Sequence, residues 1–214
     1  MTTKTAQTNF YRDIIYPYLV DILGNPPPIR KIRQQIIPLA EGQVLEIGVG
    51  PGPNFIHYDS ARVAKLFALE PNPTMIRLAE KQAQRTNLNI EYIGLPGERI
   101  PLANESIDTL VSTFTLCTIP GIVEALYGFV RVLKPDGKLV FFELGRAPDT
   151  TVECWQNRLE PLLHLLFQGL YLTRDIPALI IQGGFQIQQM ESGYLAQFPK
   201  SLSYCWWGTA TKSK

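Results

Sequence analysis

Between positions 44 and 52 the chain reads Val-Leu-Glu-Ile-Gly-Val-Gly-Pro-Gly. The apolar run Val44 to Ile47 is the signature of a strand buried on both faces. A turn with three alternating glycines follows at once. Glycine has no Cβ, so the backbone there can adopt positive φ and lie close to a ligand. In an open α/β sheet, a turn of this kind at the carboxyl end of a strand is where nucleotides bind. An ordinary strand-turn-helix with no ligand would read the same from the glycines alone.

Two further residues narrow the choice. A dinucleotide fingerprint beginning at Gly48 needs glycine at position 53, where Pro53 stands. Glu46 lies just ahead of the glycines, in the pattern E-x-G-x-G-x-G. Its carboxylate would repel a pyrophosphate and attract a cationic ligand. The stretch resembles the first motif of the class I S-adenosylmethionine-dependent methyltransferases, whose donor carries a sulfonium, an ammonium and no phosphate.

The resemblance to that family, in its type 11 domain, runs from about Gln43 to Thr211. Leu66 to Glu70 resembles the second strand. Gly97 to Leu102 resembles the loop after the third, Ile107 to Phe114 the fourth strand, and Val132 to Leu139 the turn into the fifth. The resemblance implies an α/β, Rossmann-like, doubly wound seven-stranded sheet. Its order would be 3-2-1-4-5-7-6, with strand 7 antiparallel and helices on both faces. It implies S-adenosylmethionine as cofactor and S-adenosylhomocysteine as product. It also implies that Glu70 binds the ribose and Glu98, beside Gly97, meets the adenine. Gly48, Gly50, Gly52 and Asn54 would form the loop around the donor. Pro71, Asn72 and Met75 would wall it, and Thr113, Phe114 and Leu116 would line its methionine end.

The 214 residues suffice for one sizeable core. We expect a helical cap over residues 1–40 and the methyltransferase domain over 41–214, within one compact unit. Net charge is +1, and Lys and Arg are scattered, so an extended nucleic-acid surface is not indicated. The cluster Arg30, Lys31 and Arg33 reads as a solvated helix face. No run of about 18 apolar residues spans a bilayer, and Met1 to Asn9 lacks a signal-peptide apolar region. A cytoplasmic protein, monomeric or homodimeric, follows as the expectation, with peripheral lipid contact left open. The three cysteines, Cys117, Cys154 and Cys205, lie far apart, and no metal-ligand spacing appears.

Taken in order, apolar spacing predicts a helix over Phe10 to Leu23 that Pro17 kinks or splits. A second helix carries Ile29, Ile32, Ile36 and Ile37. In the resembled family such segments lie over the cofactor or shape the acceptor pocket, which would bring Tyr11, Tyr16 and Tyr18 to the ligand. Asn54 to Ser60 reads as a short crossover helix, with His57 more consistent with packing than with catalysis. Asn72 and Pro73 read as the cap and first residue of a helix reaching about Arg85. Glu143, in an apolar strand, is expected to face the crevice or pair with a basic residue.

Thr151 to Tyr171 reads as a helix with a broad apolar face, kinked at Pro161. Trp155, Pro161, His164 to Phe167, Gly169 and Leu172 to Arg174, with Leu116 and Cys117, are similar to the thiol methyltransferases of animal microsomal membranes. That similarity implies a small, hydrophobic acceptor such as an alkyl thiol. His164 and Arg174 are then the catalytic candidates, able to favour the thiolate. Those enzymes carry an amino-terminal membrane anchor, from which the helix around Tyr11 departs, being too polar and broken by Pro17. N- or O-methylation of a lipid headgroup, a quinone or a small phenol stays open, as does a cofactor-free scaffold. A nucleotide-dependent dehydrogenase is disfavoured by Pro53.

Overall fold

The computed structural model describes residues 10–213. The expectation for Met1 to Asn9 lies outside them. Seven strands form one sheet: β1 (Gly42–Ile47), β2 (Val63–Leu69), β3 (Ile90–Ile93), β4 (Ile107–Thr113), β5 (Leu133–Leu144), β6 (Phe185–Tyr194) and β7 (Tyr204–Lys212). Their order is β3-β2-β1-β4-β5-β7-β6. The first five pair in parallel, and β7 runs antiparallel to β5 and β6. This is the expected order and the expected direction of the seventh strand.

Strand alternation sends side chains to opposite faces. Leu45 and Ile47 of β1 join one core with α4 (Ile122–Val132) and α6 (Ile176–Gln182), through Leu126, Phe129, Phe141 and Ile180. Val44 faces the other way, onto a second core with Ile29, Ile32 and Ile36 of α2 (Pro27–Ile36), Ala79 of α3 (Pro73–Ala83), and Phe142. The crossing from β1 to β4 makes their carboxyl ends the topological switch point, where such sheets leave a crevice.

Several local expectations change. The crossover after β1 is a single 3-10 turn, Phe55–His57, and no α-helix forms there. Two prolines precede it, and the Asn54 side chain is drawn away to β1 and β4. The amino-terminal helix is split, as Pro17 suggested, into a π-helical turn (Tyr11–Ile15) and α1 (Tyr16–Leu23). Lys134 to Gly137 appears as a register shift inside β5, where pairing passes from Ile107↔Leu133 to Thr109↔Lys138. Arg33 is 3% exposed, so it is not part of a solvated face. It stands one helical turn from Ile29 and Ile36, on the side that packs.

The expected helix is α5 (Thr150–Leu166), which runs on through Pro161 and ends five residues short of Tyr171. Its apolar residues Trp155, Leu162, Leu165 and Leu166 are exposed. Polar groups attach it instead. The buried Gln156 amide accepts from Ala147 N at 2.9 Å and donates to the Gly145 carbonyl at 3.0 Å. One Glu160 oxygen accepts from Leu172 N, Thr173 N and the Thr173 hydroxyl at 2.7–2.8 Å. Among the described residues no helix is long and apolar enough to cross a membrane.

Asn72 begins α3 as expected. Its Oδ1 accepts from Thr74 N at 2.8 Å and Met75 N at 3.3 Å, with Pro73 in the first turn. Replacing Asn72 with Ala should lower unfolding free energy by about 1 kcal/mol, and Asn72→Gly by only a few tenths. Urea titration of the three proteins checks this order.

Candidate active site

The glycine loop closes over the end of β2. Gly48 N and Val49 N both donate to the Leu69 carbonyl, at 2.8 and 3.2 Å, and Gly52 N donates to the Val49 carbonyl at 3.1 Å. Gly50 N donates to a carboxylate oxygen of Glu70 at 3.0 Å. Pro51 and Pro53 have no amide hydrogen. Every amide from Gly48 to Pro53 is therefore already paired, and none remains to cradle a pyrophosphate. At Gly48 (φ 66°) a Cβ would sit 2.4 Å from the Thr115 hydroxyl, whereas at Gly50 (φ 56°) it would meet nothing within 4 Å. The loop is thus tight on its protein side and open on the other.

Glu70 is 8% exposed. Its second oxygen accepts from Asn72 N at 2.9 Å. Burial pushes its pKa up, while these two amide bonds pull it back. Each oxygen keeps a lone pair for a further donor.

Glu46 has no surface toward solvent. It is fully buried beneath the loop, with one oxygen accepting from Asn54 Nδ2 and the other from the Tyr58 hydroxyl, each at 2.7 Å. Asn54 Nδ2 also donates to Thr113 Oγ1 at 3.0 Å, so Asn54 ties β1 to β4. Its Oδ1 is buried with no hydrogen-bond partner. Tyr58 was missed as a partner in the sequence. An aromatic hydroxyl shortly after a buried acid was the only available signal.

Glu143 neither opens to the crevice nor pairs with a base. Fully buried, it accepts from Ser112 Oγ at 2.7 Å, Thr115 N at 3.1 Å and Cys117 N at 3.3 Å. It thereby shapes the corner after β4, where Phe114 holds a positive φ of 54°, uncommon for a residue with a side chain.

The remaining predicted residues divide into groups. Pro71, Asn72 and Met75 follow Glu70 directly, with Met75 buried and Pro71 exposed. Gly97 lies against Ile47 and Ile119, where a Cβ would come within 2.9–3.1 Å, and Glu98 is next to Gly121. Leu116 has no exposed surface, its side chain lying in the α4 core. Gly52 packs on Phe55 and Ala79, behind the loop.

His164 and Arg174 meet on the ring of Tyr171. The His164 ring stands edge-on at 4.6 Å, and the Arg174 guanidinium lies 4.0 Å from the ring centroid. Arg174 Nη1 also donates to the Leu116 carbonyl, and Tyr171 N to that of Cys117 at 2.8 Å. Burial lowers the Arg174 pKa, with Cys117 and Tyr171 acting against it. Burial raises that of Cys117 well above a normal thiol. Above the crevice, Tyr16 stacks with Tyr11 and Phe167, and the Tyr11 hydroxyl donates to the Leu166 carbonyl at 2.8 Å. Burial raises the Tyr16 pKa, with Cys117 and Glu70 adding to it, so this ring lies near both. Tyr18 points to a groove with Thr74 and Arg77.

A cleft of about 580 Å³ lies at the opposite end of the sheet, lined in part by Glu41, Asp108, Lys134 and Lys138. Its charges pair with one another, Lys138 with Glu41 and Lys134 with Asp108. Its lining charges are therefore largely spent. Among the described residues no group of acids, histidines or cysteines could hold a metal.

The family described as "Methyltransferase domain" matches residues 45–141. The thiol S-methyltransferase TMT1A of Homo sapiens is 33% identical over 64% of this chain, which spans 57% of that protein's length. The thiol S-methyltransferase TMT1B of Homo sapiens is 31% identical over 82% of this chain and 77% of its own. Among solved structures, phosphoethanolamine N-methyltransferase 2 of Haemonchus contortus, determined with S-adenosylhomocysteine, superposes with a TM-score of 0.73. It covers 97% of this chain and 59% of that one at 17% identity, a likeness of fold.

Burial lifts the Glu46 pKa from 4.5 to about 7, against the two hydrogen bonds and the Arg33 charge. Folding therefore favours its protonated form. Its contribution is complete below pH 4.5 and is lost as pH rises through about 7. Across that window it is worth on the order of 3 kcal/mol. Stability measured by urea titration from pH 5 to 8 should fall less steeply in Glu46→Gln than in the parent.

Proposed function

The chain belongs to the class I S-adenosylmethionine-dependent methyltransferases, and we propose that it moves a methyl group from S-adenosylmethionine to a small hydrophobic acceptor, an alkyl thiol. The observation that carries the donor is the glycine loop with every amide paired beside a carboxylate that keeps two free lone pairs. That site suits a nucleoside without phosphates. The residues fit such a donor: Glu70 can take both ribose hydroxyls, and Asn54 Oδ1, buried without a partner, can accept from an ammonium. Met75 and the Gly97–Glu98 loop border the adenine side. Residues 41–214 carry this site, and the segment before them roofs it with Tyr16. We assign the chain to the cytoplasm.

S-adenosylmethionine, when bound, supplies a methyl group already activated by a positive sulfur. The protein's own part is then proximity and orientation, worth up to ~7–11 kcal/mol in model systems. The Asn54 bridge between Glu46 and Thr113 fixes the loop on which the donor rests. Tyr16 and Phe167 exclude water from above. A free thiol with a pKa near ~8.5 is mostly protonated at neutral pH. Arg174 brings a cation to the corner after β4 and favours the thiolate, and His164, on the exposed side of Tyr171, takes the proton to solvent.

Calorimetry should show that the chain binds S-adenosylmethionine and not NAD. Glu70→Ala should weaken the donor at least about tenfold, since hydrogen bonds to a charged group are worth ~1.5–3 kcal/mol each. Unchanged affinity would remove Glu70 from the site. With labelled donor, an alkyl thiol should outperform a phenol and phosphatidylethanolamine vesicles. A phenol or lipid that turns over faster would replace the thiol as acceptor.

Arg174→Ala should lose more thiol turnover at pH 7 than at pH 9, because the thiol ionises unaided at the higher pH. His164→Ala should shift the profile in the same direction by less. Equal losses at both pH values would make Arg174 a scaffold residue only.

A further inference from the structure

The segment from Phe167 to Asp175, between α5 and α6, carries no helix or strand, yet it is fixed along its length. It lies on the corner after β4. Tyr171 N donates to the Cys117 carbonyl at 2.8 Å and Arg174 Nη1 donates to that of Leu116. A Cβ at Gly169 would lie 3.1 Å from the carbonyl oxygen of Thr118. Near its start Gln168 takes a φ of 53°, uncommon for a residue with a side chain. An irregular segment of this kind keeps one shape only when its buried amides find acceptors.

For the two amides just before Arg174 that acceptor is a single atom. Oε2 of Glu160 receives Leu172 N at 2.7 Å, Thr173 N at 2.8 Å and the Thr173 hydroxyl at 2.7 Å. Leu172 is buried, so water is a poor substitute there. On the other side, the Arg174 carbonyl accepts from Arg146 N at 2.9 Å. Glu160 and Gln156 are four residues apart and share one face of α5. Gln156 holds the chain leaving β5, and Glu160 holds the chain entering Arg174. The helix is a splint between these two segments. Among the described residues no ion pair joins Glu160 to Arg174, so the carboxylate fixes the backbone that carries the guanidinium and does not grip the guanidinium itself. Burial lowers the Arg174 pKa, and Cys117, Tyr171, Glu143 and Glu160 oppose that fall, in this order.

Resting on the role given to Arg174 above, we propose that Glu160 is a positioning residue for the acceptor: it holds Leu172 and Thr173 so that the Arg174 guanidinium stands on the corner after β4, where the thiol ionises. Hydrogen bonds to a carboxylate are stronger than those between neutral groups, and three on one oxygen leave the segment little freedom. The effect is confined to the acceptor half of the site. Glu70 and Asn54, on the donor side, are bonded to the glycine loop, α3, β1 and β4, and to nothing in the 167–175 segment.

The test compares the parent chain with Glu160→Ala, Arg174→Ala and the double variant. Calorimetry should show unchanged affinity for S-adenosylmethionine in all four. Turnover of an alkyl thiol by Glu160→Ala should fall about tenfold at pH 7 and much less at pH 9, where a thiol with a pKa near ~8.5 ionises unaided. The double variant should be no slower than Arg174→Ala by more than about twofold, because residues that act through one another are not additive. Glu160→Gln, whose amide oxygen can accept the same three bonds, should recover most of the turnover at pH 7. Glu160→Asp, shorter by one methylene, should behave as Glu160→Ala does and carries the test if the alanine variant does not fold. Full turnover in both Glu160→Ala and Glu160→Asp, equal losses at the two pH values, or losses that multiply in the double variant overturn the positioning role and leave Arg174 in place. A Glu160 variant that loses the donor as well overturns it too, making α5 a general scaffold. Full turnover in Arg174→Ala overturns both this inference and the role of Arg174 on which it rests.

Discussion

Three acids buried at the carboxyl ends of strands hold the crevice together, and the one on β1 matters most. Glu46 has no water to solvate it, so its two oxygens must find donors in the protein. It finds Asn54 and Tyr58, both beyond the glycine loop, and draws the chain back across the top of β1. Asn54 passes the constraint on to Thr113 of β4. The loop is fixed from beneath, which leaves its upper surface open for a ligand.

Glu70 and Glu143 repeat the device with different partners. Glu70 binds two amides, from Gly50 and Asn72, and so joins the glycine loop to the start of α3. Glu143 binds the hydroxyl of Ser112 and the amides of Thr115 and Cys117, holding the corner after β4. Burial raises the pKa of all three, and hydrogen bonds oppose that rise in each. Each carboxyl is held against the cost of burial by donors from a neighbouring loop.

Much of this architecture was legible in the sequence because it follows from local rules. An apolar run followed by glycines marks β1 and its turn, and Asn72-Pro73 marks the start of α3. What was not legible depends on partners distant in the chain. Alternation puts Glu46 on the same side of β1 as Val44, but nothing local says that Asn54 and Tyr58 will meet it. That meeting is also why no α-helix forms after the loop. Trp155, Leu162 and Leu166 read as part of a broad apolar helix face, yet α5 is attached through Gln156 and Glu160. Backbone groups of Gly145, Ala147, Leu172 and Thr173 needed partners, and that need prevailed over apolar burial. Arg33 was misread because charge was weighed above its helical register with Ile29 and Ile36.

The reach of Glu143 has a consequence for assembly. The amides it satisfies, Thr115 and Cys117, precede it by a whole helix and most of a strand. A nascent chain that has emerged only as far as α4 has those amides and no carboxylate to receive them. The corner beside the crevice is therefore finished late, when β5 slides in next to β4. Competence to engage a ligand arrives with closure of the sheet and cannot precede it.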